Sequence, residues 1–392
     1  MRILHTADWH LGRTLHGEDL GPAHAAFLDH LVDLVSHHRV DVLVVSGDVF
    51  DRTLAPLASL RLLQGALERL CPMTRVILTP GNHDSATRLG FGASLMREEL
   101  RVFSRVDQVG IPVEVPGPGG QDGLLVYPVP WLEPDLVRHE LGEVGSPVAR
   151  SHEAVLRAAL ARITADLQVR RSQGDARPAL AMVHTFVSGA VESDSERDIQ
   201  VGGVAAVPAS LFEDTGLAYV ACGHLHRPQD VKGTGTKVRY SGSPLPLSFS
   251  EAGDHKSVTL VDISPDGAVD VQVLELPVWR RLAVLEGTME HLLSPATDTH
   301  LQDWVSLRVT DPARPSEMVR RLRERFAHAL LVQHTPQGVQ ARTAPDAQDL
   351  RTRGAREVSR DFFEAVGGRP LDEEEAALLD DVLTAIRSEA TA

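Results

Sequence analysis

Residues 75–84 are Arg75-Val76-Ile77-Leu78-Thr79-Pro80-Gly81-Asn82-His83-Asp84, and this stretch decides the fold class of the 392-residue chain. Its first half is a short apolar run typical of a buried strand, and its second half is a polar turn. In α/β sheets, ligands bind beyond the carboxyl ends of the strands. The stretch therefore predicts a strand that carries functional side chains at its end.

The same arrangement recurs four times, with an apolar run followed directly by polar residues. The runs are Arg2 to Thr6, Val40 to Ser46, Ala179 to Val183 and Leu217 to Cys222. The segments that follow them are Asp8-Trp9-His10, Gly47-Asp48-Val49-Phe50-Asp51, His184 and Gly223-His224-Leu225-His226. Because strand ends meet in one crevice, we expect all five polar segments to converge.

These segments offer carboxylates, imidazoles and one amide oxygen. The candidate ligands are Asp8, Asp48, His10, His184, His224, His226 and Asn82. The set lacks thiolates and suits divalent ions such as Mn²⁺, Fe²⁺ or Zn²⁺. Seven side chains are too many for one tetrahedral ion, whereas two ions about 3.5 to 4 Å apart that share a carboxylate would use them all. Such a pair clamps the attacking and leaving oxygens of a phosphoryl displacement, so the residues predict a two-metal phosphoesterase site.

Asp48 is the expected bridging ligand, because it opens the loop after a central strand and Gly47 lets the backbone turn close to the ions. We assign one ion to Asp8, His10, Asp48 and His226, and the other to Asp48, Asn82, His184 and His224. Which ion each of the last two histidines binds stays open. A lone histidine such as His184 is more often a core residue, so its assignment depends on the other segments.

His83 is the expected acid catalyst, stabilising the phosphate and protonating the leaving oxygen. Asp84 is expected to fix the tautomer of His83 and to raise its basicity. No side chain is needed as the nucleophile, because a divalent ion lowers the pKa of bound water to roughly 7.

The composition is that of a globular protein, with 43% apolar residues and a net charge of −15. This acidic balance argues against tight autonomous binding of nucleic acid, so a DNA substrate would need a partner or a second copy of the chain. Cys71 and Cys222 indicate no disulfide framework. The first strand starts without a signal peptide, and no run of 18 apolar residues occurs, so we expect a cytoplasmic protein with no membrane segment.

Alternating strand-like and helix-like stretches predict an α/β sandwich over residues 1–278. Residues 279–334 form a predicted small α/β capping domain, with a helix expected at Ser316 to His328. The dense arginines of this domain are typical of a solvated helix face or of a phosphate contact. These arginines are Arg314, Arg320, Arg321, Arg323 and Arg325. A linker is expected at 335–354, followed by two amphipathic helices at 355–392. The helices either pack on each other or, as we favour, dock onto a partner.

The motifs resemble the SbcD family of bacterial nuclease subunits, within the calcineurin-like metallophosphoesterases. The resemblance rests on the opening His5-Thr6-Ala7-Asp8-Trp9-His10-Leu11-Gly12-Arg13, on Gly223 to Gln229 and on Tyr240-Ser241-Gly242-Ser243-Pro244. It covers nearly the whole chain. It implies a four-layer sandwich of two mixed sheets flanked by helices, with a cap and a terminal helical pair.

The resemblance also implies a function: a DNA nuclease with double-strand 3′–5′ exonuclease and single-strand endonuclease activity, acting with Mn²⁺ in recombination and repair. It implies a homodimer bound to two copies of an SbcC-type ATPase. The sequence lacks a P-loop, so any ATP dependence must come from a partner. The alternative is a phosphomonoesterase or small-molecule phosphodiesterase, since Gly47 to Arg52 is close to a protein-phosphatase pattern. Thr53 and Asp84 depart from that pattern. A second alternative is a non-catalytic scaffold that retains the fold, but a scaffold would not need the complete set of candidate metal ligands.

Overall fold

The computed structural model describes residues 1–117, 123–196, 206–336, 355–367 and 370–389. The chain divides into two compact units, Met1–Thr335 and Pro336–Ala392. The larger unit contains every candidate ligand.

Strands and helices alternate along the larger unit. In chain order the strands are Arg2–Thr6 (β1), Thr14–Leu15 (β2), Glu18–Asp19 (β3), Val42–Ser46 (β4), Arg75–Thr79 (β5), Leu100–Val102 (β6), Val113–Val115 (β7), Leu124–Pro128 (β8), Ala179–His184 (β9), Tyr219–Gly223 (β10), Gln229–Asp230 (β11), Lys237–Tyr240 (β12), Ser257–Ile263 (β13), Val269–Glu275 (β14), Leu282–Gly287 (β15), Trp304–Val309 (β16) and Ala329–His334 (β17). The α-helices are Gly21–His38 (α1), Leu57–Leu70 (α2), Ala86–Leu89 (α3), Pro134–Leu141 (α4), His152–Ser172 (α5), Met289–Leu292 (α6) and Met318–Arg325 (α7).

Two six-stranded mixed sheets form the centre of this unit. The first has the order β14-β13-β1-β4-β5-β6, with β13 and β14 antiparallel at one edge. The second has the order β11-β12-β10-β9-β8-β7. The central strand β4, with the sequence Val-Leu-Val-Val-Ser, is buried along its whole length, as expected for a strand covered on both faces.

The side chains of the first sheet alternate between two apolar layers. Ile3 and Val44 point between the sheets, where they pack with Leu180 of the second sheet. Leu4 and Leu43 point outward into a cluster formed with α1 and α2. Helices α4 and α5 cover the outer face of the second sheet in the same way. The result is a helix–sheet–sheet–helix arrangement, and the expected four-layer sandwich is confirmed.

A small three-stranded sheet, in the order β15-β16-β17, follows the sandwich and packs against α6 and α7. The expected helix at Ser316 to His328 is shorter in the structure, because Glu317 is left-handed (φ 53°) and Phe326 is extended. An apolar cluster that includes Leu245, Leu282 and Trp304 joins this cap to the sandwich. The domain boundary at residues 278 and 279 stays a prediction.

The smaller unit contains two helices, Ala355–Gly367 and Glu373–Glu389. The second begins with a capping box, in which Asp372 and Glu375 each accept the other's backbone N–H at 2.9 and 3.0 Å. Arg356 pairs with Asp380 across the two helices at 2.7 Å. Residues 337–354 of the expected linker lie outside the described residues.

Across the described ranges, we find no helix with the length and apolar character needed to span a bilayer.

Candidate metal centre

The loops after five strands meet in one region of the sandwich. Asp8 N–H donates to the Gly47 carbonyl at 3.1 Å, and His10 N–H donates to the Asp48 carbonyl at 2.9 Å. A third bond links the two sheets: His224 N–H, after β10 of the second sheet, donates to Asp8 Oδ1, after β1 of the first, at 2.9 Å. These bonds lock the loops together, so the convergence expected from the strand ends is observed.

One cluster of ligand atoms comes from Asp8, His10 and His226, all of them buried and within 4.8 Å of one another. The Nε2 atoms of the two histidines are 3.1 Å apart. Asp48 Oδ2 is 3.6 Å from His10 Nε2. These four residues are the set expected for the first ion.

The second cluster reaches the same carboxylate oxygen through His184. His184 Nε2 is 3.4 Å from Asp48 Oδ2 and 2.9 Å from Asn82 Oδ1. The Asn82 oxygen is also 3.2 Å from His224 Nδ1. The other oxygen of Asp48 accepts the backbone N–H of His83 at 2.8 Å. Asp48 Oδ2 therefore lies between the two expected ligand sets, and the ligand roles themselves stay a prediction.

Backbone strain is concentrated at these residues. Asp8, His10, Asp48 and His224 all have positive φ angles, of 55°, 46°, 50° and 103°. Such conformations are costly for residues other than glycine and cluster at functional sites. Four of the seven candidate ligands therefore share a local conformation that the surrounding fold must hold in place.

The close approach of the loops also requires glycine. A Cβ atom on Gly47 would lie 2.2 Å from His184 Nδ1, and one on Gly81 would lie 2.2 Å from Asp48 Oδ1. Both contacts are far inside van der Waals distance. These two glycines let the strand ends come within ligand distance of one another.

The electrostatics of the centre favour a cation. Burial raises the pKa of Asp8, nearby His184 lowers it, and the charge of Asp48 raises it again, to a net value of about 7. Burial lowers the pKa of His184, but Asp48 and Asp8 raise it to a net value of about 9. Burial and nearby His184 hold the pKa of His224 well below its usual range, which keeps this imidazole neutral as metal binding requires. Buried carboxylates beside the neutral imidazole of His224 and the amide of Asn82 fit divalent metal ions.

Comparison with known proteins agrees with this chemistry. A family model described as calcineurin-like phosphoesterase matches residues 1–228, and one described as type 5 capsule protein repressor C-terminal domain matches residues 278–366. The SbcD subunit of the nuclease SbcCD from Bacillus subtilis is 39% identical over 272 residues, covering 68% of this chain and 67% of that protein. The chain belongs to the SbcD family of calcineurin-like phosphoesterases. The family member from Rhodobacter capsulatus is 40% identical over 305 residues, covering 74% and 73%, and that from Escherichia coli K12 is 34% identical over 308 residues, covering 78% and 74%.

His83 lies beside the metal ligands of this SbcD-family chain, but Asp84 has partners other than those expected. The His83 ring is 4.6 Å from that of His10, and its Nδ1 is 2.9 Å from the carbonyl oxygen of Asp51. The Asp84 carboxylate accepts three backbone N–H groups, from Val49, Phe50 and Gly81, at 2.9 to 3.0 Å. These bonds fix the loop that carries Asp48, and a backbone carbonyl takes the place expected for Asp84 beside the imidazole.

Sequence reasoning missed a residue that packs against the second cluster. The ring of Trp131 is 5.9 Å from that of His184 and stacks on that of His224 at 6.3 Å. Trp131 follows the end of β8, which neighbours β9 in the second sheet. The rule that located the other segments, polar residues directly after an apolar run, does not select it, because Val129 and Pro130 separate Trp131 from the strand.

A buried hydrogen-bond network behind His226 was also missed. Ser195 and the ion pair of Glu251 with Lys256 (2.5 Å) form its centre. Burial raises the pKa of Glu251, but His226 and Lys256 outweigh it and hold the pKa below its usual range. No local sequence pattern indicates this network, because its members come from two loops far apart in the chain.

Proposed function

We propose that this chain is the DNA nuclease subunit of an SbcCD-type complex and that it hydrolyses phosphodiester bonds with two divalent ions. The observation that carries the proposal is the position of Asp48 Oδ2, 3.6 Å from His10 Nε2 and 3.4 Å from His184 Nε2. A carboxylate oxygen shared by two ligand sets is what a two-metal phosphoesterase requires. Its relatives are named as subunits of the SbcCD nuclease, which indicates a nucleic acid as the substrate.

The candidate ligands would hold the ions that activate water and bind the phosphate. When bound, two divalent ions lower the pKa of water and neutralise charge on the attacking and leaving oxygens. Asp8, His10 and His226 would hold the first ion, Asn82, His184 and His224 the second, and Asp48 both. Mn²⁺ is the proposed metal, because the resemblance to the SbcD family implies it; the donor set suits it as it suits Fe²⁺ and Zn²⁺.

His83 is the proposed proton donor to the leaving oxygen. Its Nδ1 lies 2.9 Å from a carbonyl oxygen, which can only accept, so Nδ1 carries a hydrogen. Proton exchange with the substrate therefore falls to Nε2. Asp84 is a positioning residue in this scheme, since its carboxylate accepts the backbone N–H groups of Val49 and Phe50, just after Asp48, and of Gly81, just before the Asn82-His83 pair.

The arginines of the cap divide into two groups. Arg320 is paired with Glu317 and Glu324, and Arg325 is paired with Asp298. These pairs favour a solvated surface role for both. Arg314, Arg321 and Arg323 are exposed, and they are the proposed phosphate contacts of the cap.

The function is tested with the purified full-length chain and three substrates in Mn²⁺. Linear duplex DNA should lose nucleotides from its 3′ ends, and circular single-stranded DNA should be cut internally. A small chromogenic phosphodiester should be hydrolysed far more slowly. Rapid hydrolysis of small phosphate esters without cleavage of either DNA would instead favour the phosphomonoesterase alternative.

The proposed docking surface for the ATPase partner is the pair of terminal helices. Phe362 is 61% exposed and Leu378 is 66% exposed, one on each helix. Exposed large apolar side chains on two adjacent helices fit the helix docking expected from the sequence. A cytoplasmic location and a complex with two copies of each chain stay predictions.

Phe362→Asp combined with Leu378→Asp is expected to abolish co-purification with the ATPase subunit. Desolvating an unpaired charge at an interface costs several kcal/mol, and about 3 kcal/mol already weakens binding about 100-fold. Hydrolysis of single-stranded DNA and the melting temperature should not change, because both side chains are exposed. Val169→Asp, at an exposed position of α5, is the matched control. A lower melting temperature with retained partner binding would show that the helices serve the fold instead.

The proposed homodimer finds support in exposed leucines at the start of α2. Leu57 and Leu60 are spaced three residues apart on the helix and are 62% and 46% exposed. Leu57→Glu with Leu60→Glu should convert a dimer into a monomer by light scattering coupled to size exclusion. Leu136→Glu, at an exposed position of α4, should leave the dimer intact. A monomeric wild-type chain would contradict the homodimer, and a dimeric double variant would move the interface elsewhere.

A further inference from the structure

Ser195 links the candidate ligand His226 to the buried carboxylate of Glu251. Its Oγ is 2.5 Å from His226 Nδ1 and 2.5 Å from Glu251 Oε1. All three side chains are buried. The hydroxyl therefore connects Nδ1, the ring nitrogen of His226 that points away from the metal cluster, to the buried carboxylate of Glu251.

The hydrogen bonds around Glu251 determine where the Ser195 hydrogen lies. Ser248 Oγ donates to Glu251 Oε1 at 3.1 Å, Leu247 N–H donates to Oε2 at 3.3 Å, and Lys256 Nζ donates to Oε2 at 2.5 Å. A carboxylate surrounded by donors is ionised and can only accept. The single hydrogen of Ser195 is thus directed to Glu251.

The tautomer of His226 follows from this arrangement. Because its hydrogen points to Glu251, Ser195 Oγ can only accept from His226, so His226 Nδ1 must carry a hydrogen. The lone pair is then on Nε2. That atom lies 3.1 Å from His10 Nε2, inside the cluster formed with Asp8.

Lys256 fixes the backbone of His226. Besides its ion pair with Glu251, its Nζ donates to the carbonyl oxygen of His226 at 2.9 Å and to Ser243 Oγ at 3.0 Å. The ring and the backbone of His226 are therefore held by one network. Within it, the ammonium of Lys256 neutralises the buried carboxylate of Glu251.

We propose that Ser195 and Glu251 are positioning residues that hold His226 in the Nδ1–H tautomer, so that Nε2 is available to one of the two metal ions. The inference rests on the proposed two-metal function. In metal sites, a partner on the second imidazole nitrogen commonly fixes the tautomer, and its loss weakens metal affinity about 10- to 100-fold. Here Ser195 lies between His226 and the carboxylate of Glu251, whose Oε1 is 3.9 Å from His226 Nδ1.

The test compares Ser195→Ala, Ser195→Thr and Ser193→Ala in the full-length chain. Ser193 lies in the same loop; its Oγ bonds Glu196 at 2.7 Å, Ser195 Oγ at 2.9 Å and Glu251 at 3.2 Å, so its removal takes a hydroxyl from the network without removing the one that faces His226 Nδ1. Mn²⁺ titration followed by electron paramagnetic resonance should show one of two ions bound about 10- to 100-fold more weakly in Ser195→Ala. The threonine variant, which retains the hydroxyl, and Ser193→Ala should bind both ions nearly as the wild type does.

A second readout does not depend on metal. Long-range ¹⁵N spectra of histidine-labelled protein without added metal should show His226 as Nδ1–H in the wild type, with the signal assigned by its loss in His226→Gln. In Ser195→Ala, this signal should shift toward the Nε2–H tautomer. Unchanged metal affinity and an unchanged tautomer in Ser195→Ala would overturn the inference.

Failure of the proposed function gives a different result. A wild-type chain that binds fewer than two ions would refute the two-metal proposal, whatever the variants do. The tautomer spectra would still decide the positioning role of Ser195. An Nε2–H signal for His226 in the wild type would refute that role.

Discussion

Asp48→Asn is expected to release both metal ions and to reduce DNA cleavage to the uncatalysed background. Asparagine keeps the shape of the side chain and the oxygen that accepts the His83 N–H at 2.8 Å. It removes the negative charge from the atom that lies between His10 and His184. Since both ion sites use this atom, the loss should not be confined to one of them. Metal content by mass spectrometry and cleavage of linear duplex DNA measure the two effects.

The matched control is Asp41→Asn, immediately before the same strand at its opposite end. The Asp41 carboxylate accepts the backbone N–H of Arg2 at 2.7 Å, far along the strand from the centre. This variant should keep two ions and full activity. If Asp48→Asn still bound two ions per chain, the bridging role of Asp48 would be wrong.

His83→Gln is expected to keep both ions and to slow cleavage about 10²- to 10⁴-fold, the usual contribution of a general acid. The reason is its position: the ring lies against His10 and is held through Nδ1 by the Asp51 carbonyl. Single-turnover cleavage and metal content should be measured on the same preparation.

His255→Gln, at an exposed histidine, is the control for this substitution and should behave as the wild type. Loss of metal together with activity in His83→Gln would place His83 among the ligands. His83 lies close enough to bind a metal ion, because His83, His10 and Asp48 offer ligand atoms within 4.8 Å of one another.

The strands and the ligand set were predictable because both depend on local sequence. The expected strand Arg75 to Thr79 has the same bounds in the structure, and the side chains just beyond it lie in the centre. A continuous apolar run can only be buried, and the end of a buried strand is fixed by the first polar turn. Proximity of the five segments then follows from sheet topology.

Features set by contacts between distant loops were not predictable. The partners of Asp84 depend on how the turn after β5 meets the loop after β4, where its carboxylate accepts three backbone N–H groups. Ser195 and Glu251 are separated by 56 residues, and neither is of a type that marks a site by itself. The predicted start of α7, at Ser316, was wrong for another reason. Glu317 adopts a left-handed conformation that helix periodicity does not reveal, so the helix begins at Met318.

Anomalous diffraction from crystals grown with Mn²⁺ tests the two-ion centre most directly. Two peaks are predicted about 3.5 to 4 Å apart, on either side of Asp48 Oδ2. One should contact His10 and His226, and the other His184 and His224. A single peak, or a pair of peaks that Asp48 does not touch, would contradict the two-metal centre.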